Sequence, residues 1–178
     1  MPIVSFSQLP DDARVWVFAA SDPLPPANAG RLLDEVDAFL EQWQAHGEPL
    51  TCARDRRDDR FVVIGVDQST AGASGCSIDG LFRALQRLQS SLGTTLVGGG
   101  RVFYRDNGGT VRCVDRREFS RRAAAGAVGP GTAVFDLSVT TAGAYREGFE
   151  RPARDSWHRE LLTAGDSRPA APSATRSG

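Results

Sequence analysis

Phe61-Val62-Val63-Ile64-Gly65-Val66 is an unbroken apolar run rich in β-branched side chains. A few residues later Leu81, Phe82, Leu85, Leu88 and Leu92 recur at helical spacing. A strand therefore feeds a helix. The joint between them is built from small residues, Ala73-Ser74-Gly75-Cys76-Ser77-Ile78-Asp79. The rest of the chain is arranged around this strand, turn and helix.

Upstream, residues 1–14 read as a lead-in with a turn at Pro10-Asp11-Asp12, and 15–20 form a short apolar run expected of an interior strand. After Pro25-Pro26, Asn28 can cap a helix whose apolar positions are Leu32, Leu33, Val36, Phe39, Leu40 and Trp43. Asp34, Glu35 and Asp37 lie early in it, where the dipole favours acids, and His46-Gly47 is expected to close it. Residues 50–53 and 61–67 then read as two strands. Between them the mixed-charge run Arg54-Asp55-Arg56-Arg57-Asp58-Asp59-Arg60 is expected to be a solvated hairpin tip. The second helix is expected over 77–92, stopped by Gly93. A strand at 100–105 completes a β-α-β-β-α-β order, the ferredoxin-like pattern.

Beyond it, Asn107-Gly108 matches a type I′ turn into a strand at 110–114. Asp115 can cap a helix over 116–125 that Gly126 ends. A strand is expected over 132–139, loop over 140–153 and a closing helix over 155–162. The expected fold is thus α/β (α+β), one globular domain over 1–164. Its N-terminal half, 1–106, is ferredoxin-like, and 107–164 is an appended β-hairpin, short helix and strand. The tail, 165–178, has nothing to bury and is expected to be disordered.

Composition excludes several functions. The 178 residues carry a net charge of −1, so no overall field draws nucleic acid or an anionic membrane. All 21 cations are arginine. Without lysine there is no Schiff base, no cofactor aldimine and no phosphate-loop Lys. No apolar run is long enough to span a membrane, and the N-terminus lacks the basic start and apolar core of a signal peptide, so a cytoplasmic protein is expected. Three cysteines, Cys52, Cys76 and Cys113, and two histidines, His46 and His158, lack the spacing of a disulfide framework or a zinc site. No metal and no cofactor are expected.

The expected topology collects the chemistry-bearing residues. In a split β-α-β order the end of the first helix and the start of the second share one rim. This brings Trp43, His46 and Gly47 towards Ser74, Gly75, Cys76, Ser77 and Asp79. A helix N-terminus leaves free N–H groups and favours an anion. A thiol there has a lowered pKa, which a neighbouring histidine lowers further. Cys76 is the candidate nucleophile or redox thiol and His46 its base or ion-pair partner. Asp79 would orient His46, Ser74, Gly75 and Ser77 would frame an anionic ligand, and Trp43 would stack on it. Each residue also has a structural reading. Cys76 can be a small apolar filler, His46 a helix cap, Trp43 part of the apolar stripe, and Ser74 and Ser77 ordinary N-caps. Cys52 and Cys113 read as core.

Ala13-Arg14-Val15-Trp16-Val17, Trp43-Gln44-Ala45-His46-Gly47, Asp59-Arg60-Phe61, Ala73 to Asp79 and Asp155-Ser156-Trp157-His158 together resemble a family of small bacterial proteins often labelled "ABC transporter ATPase". The resemblance implies no established activity. The residues do not support the ATPase label: a phosphate loop needs G-x-x-x-x-G-K-[ST], and Gly98-Gly99-Gly100 is followed by Arg101-Val102. Residues 115–135 also resemble a small bacterial module with a docking surface, through Asp-x-x-Glu-Phe, Gly-x-Val and Thr-x-Val-Phe.

Two functions follow as expectations. One is binding of a small anionic ligand at the start of the second helix, with a reactive Cys76. The alternative is a non-enzymatic interaction or adaptor protein whose partner is another protein. Single-stranded nucleic acid is not expected, because Phe103 and Arg105 would share a face opposite Tyr104, a thin platform.

Overall fold

The computed structural model describes residues 3–45, 47–69, 75–93, 95–97 and 100–163, and for 45, 75–77, 91–92 and 97 the backbone alone. β1 (Arg14–Ala20) leads to α1 (Pro26–Glu41), a small hairpin of β2 (Gln44–Ala45) and β3 (Glu48–Pro49), and a longer one of β4 (Cys52–Arg57) and β5 (Phe61–Val66). Then come α2 (Gly75–Leu92), β6 (Leu96–Val97), β7 (Arg101–Arg105), β8 (Val111–Asp115) and α3 (Arg116–Ala124). β9 (Ala133–Phe135), α4 (Ala142–Gly148), β10 (Glu150–Pro152) and α5 (Arg159–Thr163) complete the described chain. The fold is mixed helix and sheet, and both large sheets are antiparallel.

The first sheet has the order β4-β5-β1-β6 and the second β10-β9-β7-β8. Strand parity shows how they stack. Val62, Ile64 and Val66 of β5, with Phe18 and Ala20 of β1, face Leu32, Val36 and Leu40 of α1 and Leu81, Leu85 and Leu88 of α2. The alternate residues Phe61 and Val63 of β5, with Val15, Val17 and Ala19 of β1, meet Phe103 and Phe135 of the second sheet. The far face of that sheet, Val102, Tyr104 and Val134, lies under Phe119 of α3 and Leu161 and Leu162 of α5. The layers run helix, sheet, sheet, helix. β5 is buried along its whole length because both its faces are covered, which is why its sequence runs apolar instead of alternating.

Several expectations need correction. The strand that closes the first sheet beside β1 is Leu96–Val97, paired through Ala19↔Val97 and Ala20↔Leu96. Residues 101–105 instead join the second sheet, between β8 and β9. The expected loop over 140–153 holds α4 and β10. Thr141 caps α4 by accepting from the Ala144 N–H at 3.2 Å. Gly143 is glycine because a Cβ there would stand 3.0 Å from the Asp11 Cβ and 3.2 Å from its carbonyl oxygen. α1 is led by Pro26 after Pro25, not capped by Asn28, and ends at Glu41. Gly47, at φ +84°, turns the β2–β3 hairpin instead of closing the helix.

The hairpin after β7 is also different from the type I′ reading. The Gly109 N–H bonds to the Asp106 carbonyl at 2.9 Å, and Gly109, at φ +78°, takes the left-handed position. This is a three-residue loop, held by Asp106 Oδ1 accepting from Gly108 and Thr110 N–H groups. Asp115 caps α3 as expected, accepting from the Glu118 N–H at 2.7 Å, and Gly126, at φ +72°, follows its end.

The charged run 54–60 is a solvated tip only in part: Arg56, Asp58 and Asp59 are exposed, but β4 continues to Arg57. Alternation along β4 sends its charges to both neighbouring layers. Arg54 forks onto Asp37 of α1 at 2.5 and 2.6 Å. Asp55 and Arg57 point the other way, to the Tyr145 hydroxyl at 2.7 Å and Glu150 at 2.9 Å. Arg105 joins the same knot, donating to Glu150 at 2.8 and 3.1 Å and to Asp58 at 3.0 Å. Arg60 is buried and donates to the carbonyls of Ala20 and Ser21. Arg56 with Asp59 is an exposed pair. The run therefore ties the two sheets and α1 together.

Among the described residues, no helix is long and apolar enough to cross a membrane. The expected tail over 165–178 lies outside the described residues.

Candidate functional site

The last turns of α1 lie against the first turns of α2. A Cβ on Gly80 would sit 3.7 Å from Phe39 Cε2 and 3.8 Å from Cζ, an ordinary van der Waals approach. Glu35, Ala38, Phe39 and Gln42 face Ala84, Arg87 and Leu88 across a shallow groove between the two helices. The contact yields a direct test. Gly80 has open room for a methyl group in a helix interior, where glycine is entropically unfavourable. Gly80→Ala is expected to stabilise the protein by about 0.5–1 kcal/mol. A urea midpoint lower than wild type would mean that α1 and α2 are packed more closely than described.

α2 begins at Gly75, two residues before the expected 77, so the backbone of Cys76 and Ser77 belongs to its first turn. The N–H groups of that turn have no partner within the helix. Asp79 follows one turn in and is exposed. His46 and Ser74 lie outside the described residues, and of Gly75, Cys76 and Ser77 only the backbone is described.

Trp43 is a core residue, not an open stacking platform. Its indole is 3 % exposed and lies 5.9 Å from the Trp16 ring and 5.5 Å from Phe39. The chain leaves α1 by a tight turn, with Trp43 N–H bonded to the Leu40 carbonyl at 3.2 Å, and this folds the indole back under the sheet.

The other two thiols sit as expected in strands. Cys52 is fully buried in β4 and its thiol donates to the Leu40 carbonyl at 3.6 Å. Burial, and then the nearby Asp37 carboxylate, push its pKa up to about 12. Cys113 in β8 is half-buried. Burial raises its pKa, against the opposing pull of Arg101 and Arg60. Neither is an activated thiol.

His158 does not join the rim. It is fully buried beside Phe119 of α3, on the far side of both sheets. Its ring stacks on Trp157 at 3.8 Å, Nδ1 meets the Ser156 hydroxyl at 2.8 Å, and Nε2 has no hydrogen-bond partner among the described residues. Burial lowers its pKa to about 4, with Asp136 raising it and Arg116 lowering it by smaller amounts.

A second concavity of about 360 Å³ opens near Trp157, between the start of β7, the start of α3 and the chain after β9. Arg101, Arg116, Leu137 and Ser138 line it, and sequence reading singled out none of them as a site. Trp157 stands out in the sequence only within the run Asp155-Ser156-Trp157-His158. The cleft is assembled from four separate segments, so no local spacing announces it.

Phe103 and Tyr104 are both buried, on opposite faces of the second sheet. Among the described residues no group of three or more His, Cys, Asp or Glu side chains is placed to hold a metal ion. No family model, no curated protein and no solved structure matches this chain.

Proposed function

We propose that the protein binds a small anionic molecule at the start of α2, with Cys76 as the reactive group and His46 as its base or ion-pair partner. Ser74, Gly75, Ser77 and Asp79 frame the ligand in this reading, and Trp43 supports the site from the core without touching the ligand. The observation that carries it is the approach of Phe39 to Gly80, which sets the last turn of α1 beside the second turn of an 18-residue helix, next to its start. A helix of that length presents unpaired N–H groups and positive potential to an anion at its first turn. For the fold, the antiparallel order β4-β5-β1-β6 with α1 and α2 on one face supports a ferredoxin-like N-terminal half whose fourth strand is β6. Kinship with the small bacterial proteins labelled "ABC transporter ATPase" belongs to the same reading, without the activity in that label: the element after Gly100 is a strand, not a helix. Free thiols at Cys52 and Cys113 suit a reducing compartment such as the cytoplasm.

The test is alkylation by iodoacetamide between pH 6 and 9, read at each cysteine by mass spectrometry. Cys52 and Cys113 serve as internal references, because burial raises the pKa of both thiols. Cys76 is expected to react at least tenfold faster than either at pH 7, and His46→Ala to slow it. Cys76 reacting no faster than Cys113 in the folded protein would overturn the activated thiol.

A further inference from the structure

The cleft near Trp157 is lined by the second sheet, the start of α3 and Trp157, and by no residue of α1 or α2. Its apolar surface comes mainly from Leu137 and Trp157, over the buried Phe135, and its charge from Arg101 and Arg116. The Arg116 guanidinium carbon stands 4.8 Å over the Trp157 ring. Arg101 interacts with the thiol of Cys113. No carboxylate among the described residues pairs with either guanidinium, whereas Arg54, Arg57, Arg105, Arg122 and Arg146 each have one.

Asp136, behind the wall, is already engaged. Asp136 Oδ1 accepts from the Ser138 N–H at 3.0 Å, from its hydroxyl at 2.5 Å and from the Trp157 indole N–H at 3.3 Å. Those bonds fix Ser138 and the indole edge as rigid parts of the wall. His158, stacked on Trp157 at 3.8 Å and fully buried, stiffens it from behind. The cleft therefore combines a preformed apolar surface with two cations that lack an internal counter-charge. A small apolar body gains by lying against Leu137 and the exposed part of Trp157, and an anionic group on that body gains charge-assisted hydrogen bonds from planar guanidiniums.

We propose that the cleft bounded by Arg101, Arg116 and Trp157 binds a small planar anion, an aromatic ring carrying a carboxylate, sulfonate or phosphate group. This site is independent of the one at the start of α2 and shares no residue with it.

The chain contains three tryptophans, so a ¹⁵N–¹H spectrum carries three indole N–H peaks, and Trp157→Phe identifies the one from the cleft. Indole-3-acetate is titrated against indole-3-acetamide, a neutral molecule of the same shape. The acetate is expected to shift the Trp157 peak saturably while the Trp16 and Trp43 peaks stay in place, and the acetamide to bind at least tenfold more weakly. Arg101→Gln and Arg116→Gln are each expected to weaken acetate binding at least tenfold. Arg116 also touches the reporter ring, so Arg101→Gln is the deciding variant, and unmoved Trp16 and Trp43 peaks show that it is folded. Equal binding of the acetamide, wild-type affinity in Arg101→Gln, or no saturable shift at all would each overturn the proposal.

Discussion

Phe61→Ala is expected to destabilise the protein by about 3–5 kcal/mol, the range for removing a fully buried aromatic ring. Phe61 is the meeting point of the two sheets. Its ring lies edge-on to Phe103 at 5.3 Å and to Phe149 at 5.1 Å, and tilted against Phe135 at 4.7 Å. It has no exposed surface. The neighbours come from β7, β9 and the end of α4, so the hole cannot be filled by a shift of one element. Set against a total stability of about 5–15 kcal/mol for a domain, the loss is large enough to leave part of the population unfolded at 37 °C. Urea unfolding followed by circular dichroism measures it. A loss below about 1.5 kcal/mol would mean that the sheets do not pack through this ring. Phe61→Leu, which keeps most of the volume, is expected to cost clearly less.

Acid is expected to destabilise the fold through His158. The histidine is buried, with Nδ1 on the Ser156 hydroxyl and its ring between Trp157 and Phe119. The titratable and charged groups facing it are Asp136, which favours the protonated ring, and Arg116, which opposes it. Burial outweighs both and lowers the pKa from 6.5 to about 4. Between those values the unfolded chain binds the proton and the folded one does not, so stability rises with pH in that window. The contribution is complete above the unfolded value of 6.5 and is lost as pH falls towards about 4. It amounts to about 3 kcal/mol at most. His158→Phe keeps a flat ring beside Trp157 and removes the titration. The difference between the urea midpoints of the two proteins is expected to be constant above pH 7 and to move against the wild type as pH falls from 6.5 towards 4. Parallel curves over the whole range would show that His158 is not held neutral in the fold.

The candidate site was legible in part. Cys76 at a helix start follows from small residues placed between an apolar run and a helical period, and α2 does begin there, at Gly75. The approach of α1 to α2 follows from strand order alone. The burial of Trp43 does not. A tryptophan one step beyond the last apolar turn can face core or solvent, and the turn after Glu41 decided for the core. Arg101, Arg116 and Trp157 meet only because β7 leaves the first sheet for the second. A reading that put 101–105 in the first sheet had no means of bringing them together.

By itself the sequence determined the local elements with strong periods and clear ends: β1, β5, the body of α1, and α3 with Asp115 before it and Gly126 after it. Each rests on contacts or conformations within a few residues. Only the tertiary structure decided which sheet each strand joined. A two-residue strand such as Leu96–Val97 has no period to read, and β7 carries apolar residues on both faces, which suits either sheet. It also decided that several charges of 54–60 face partners instead of water. Alternation fixes which of them share a side of β4, but the oppositely charged groups that meet them, Asp37 and Glu150, arrive from distant parts of the chain. Periodicity is a property of neighbours in sequence, whereas pairing and counter-charge are properties of neighbours in space.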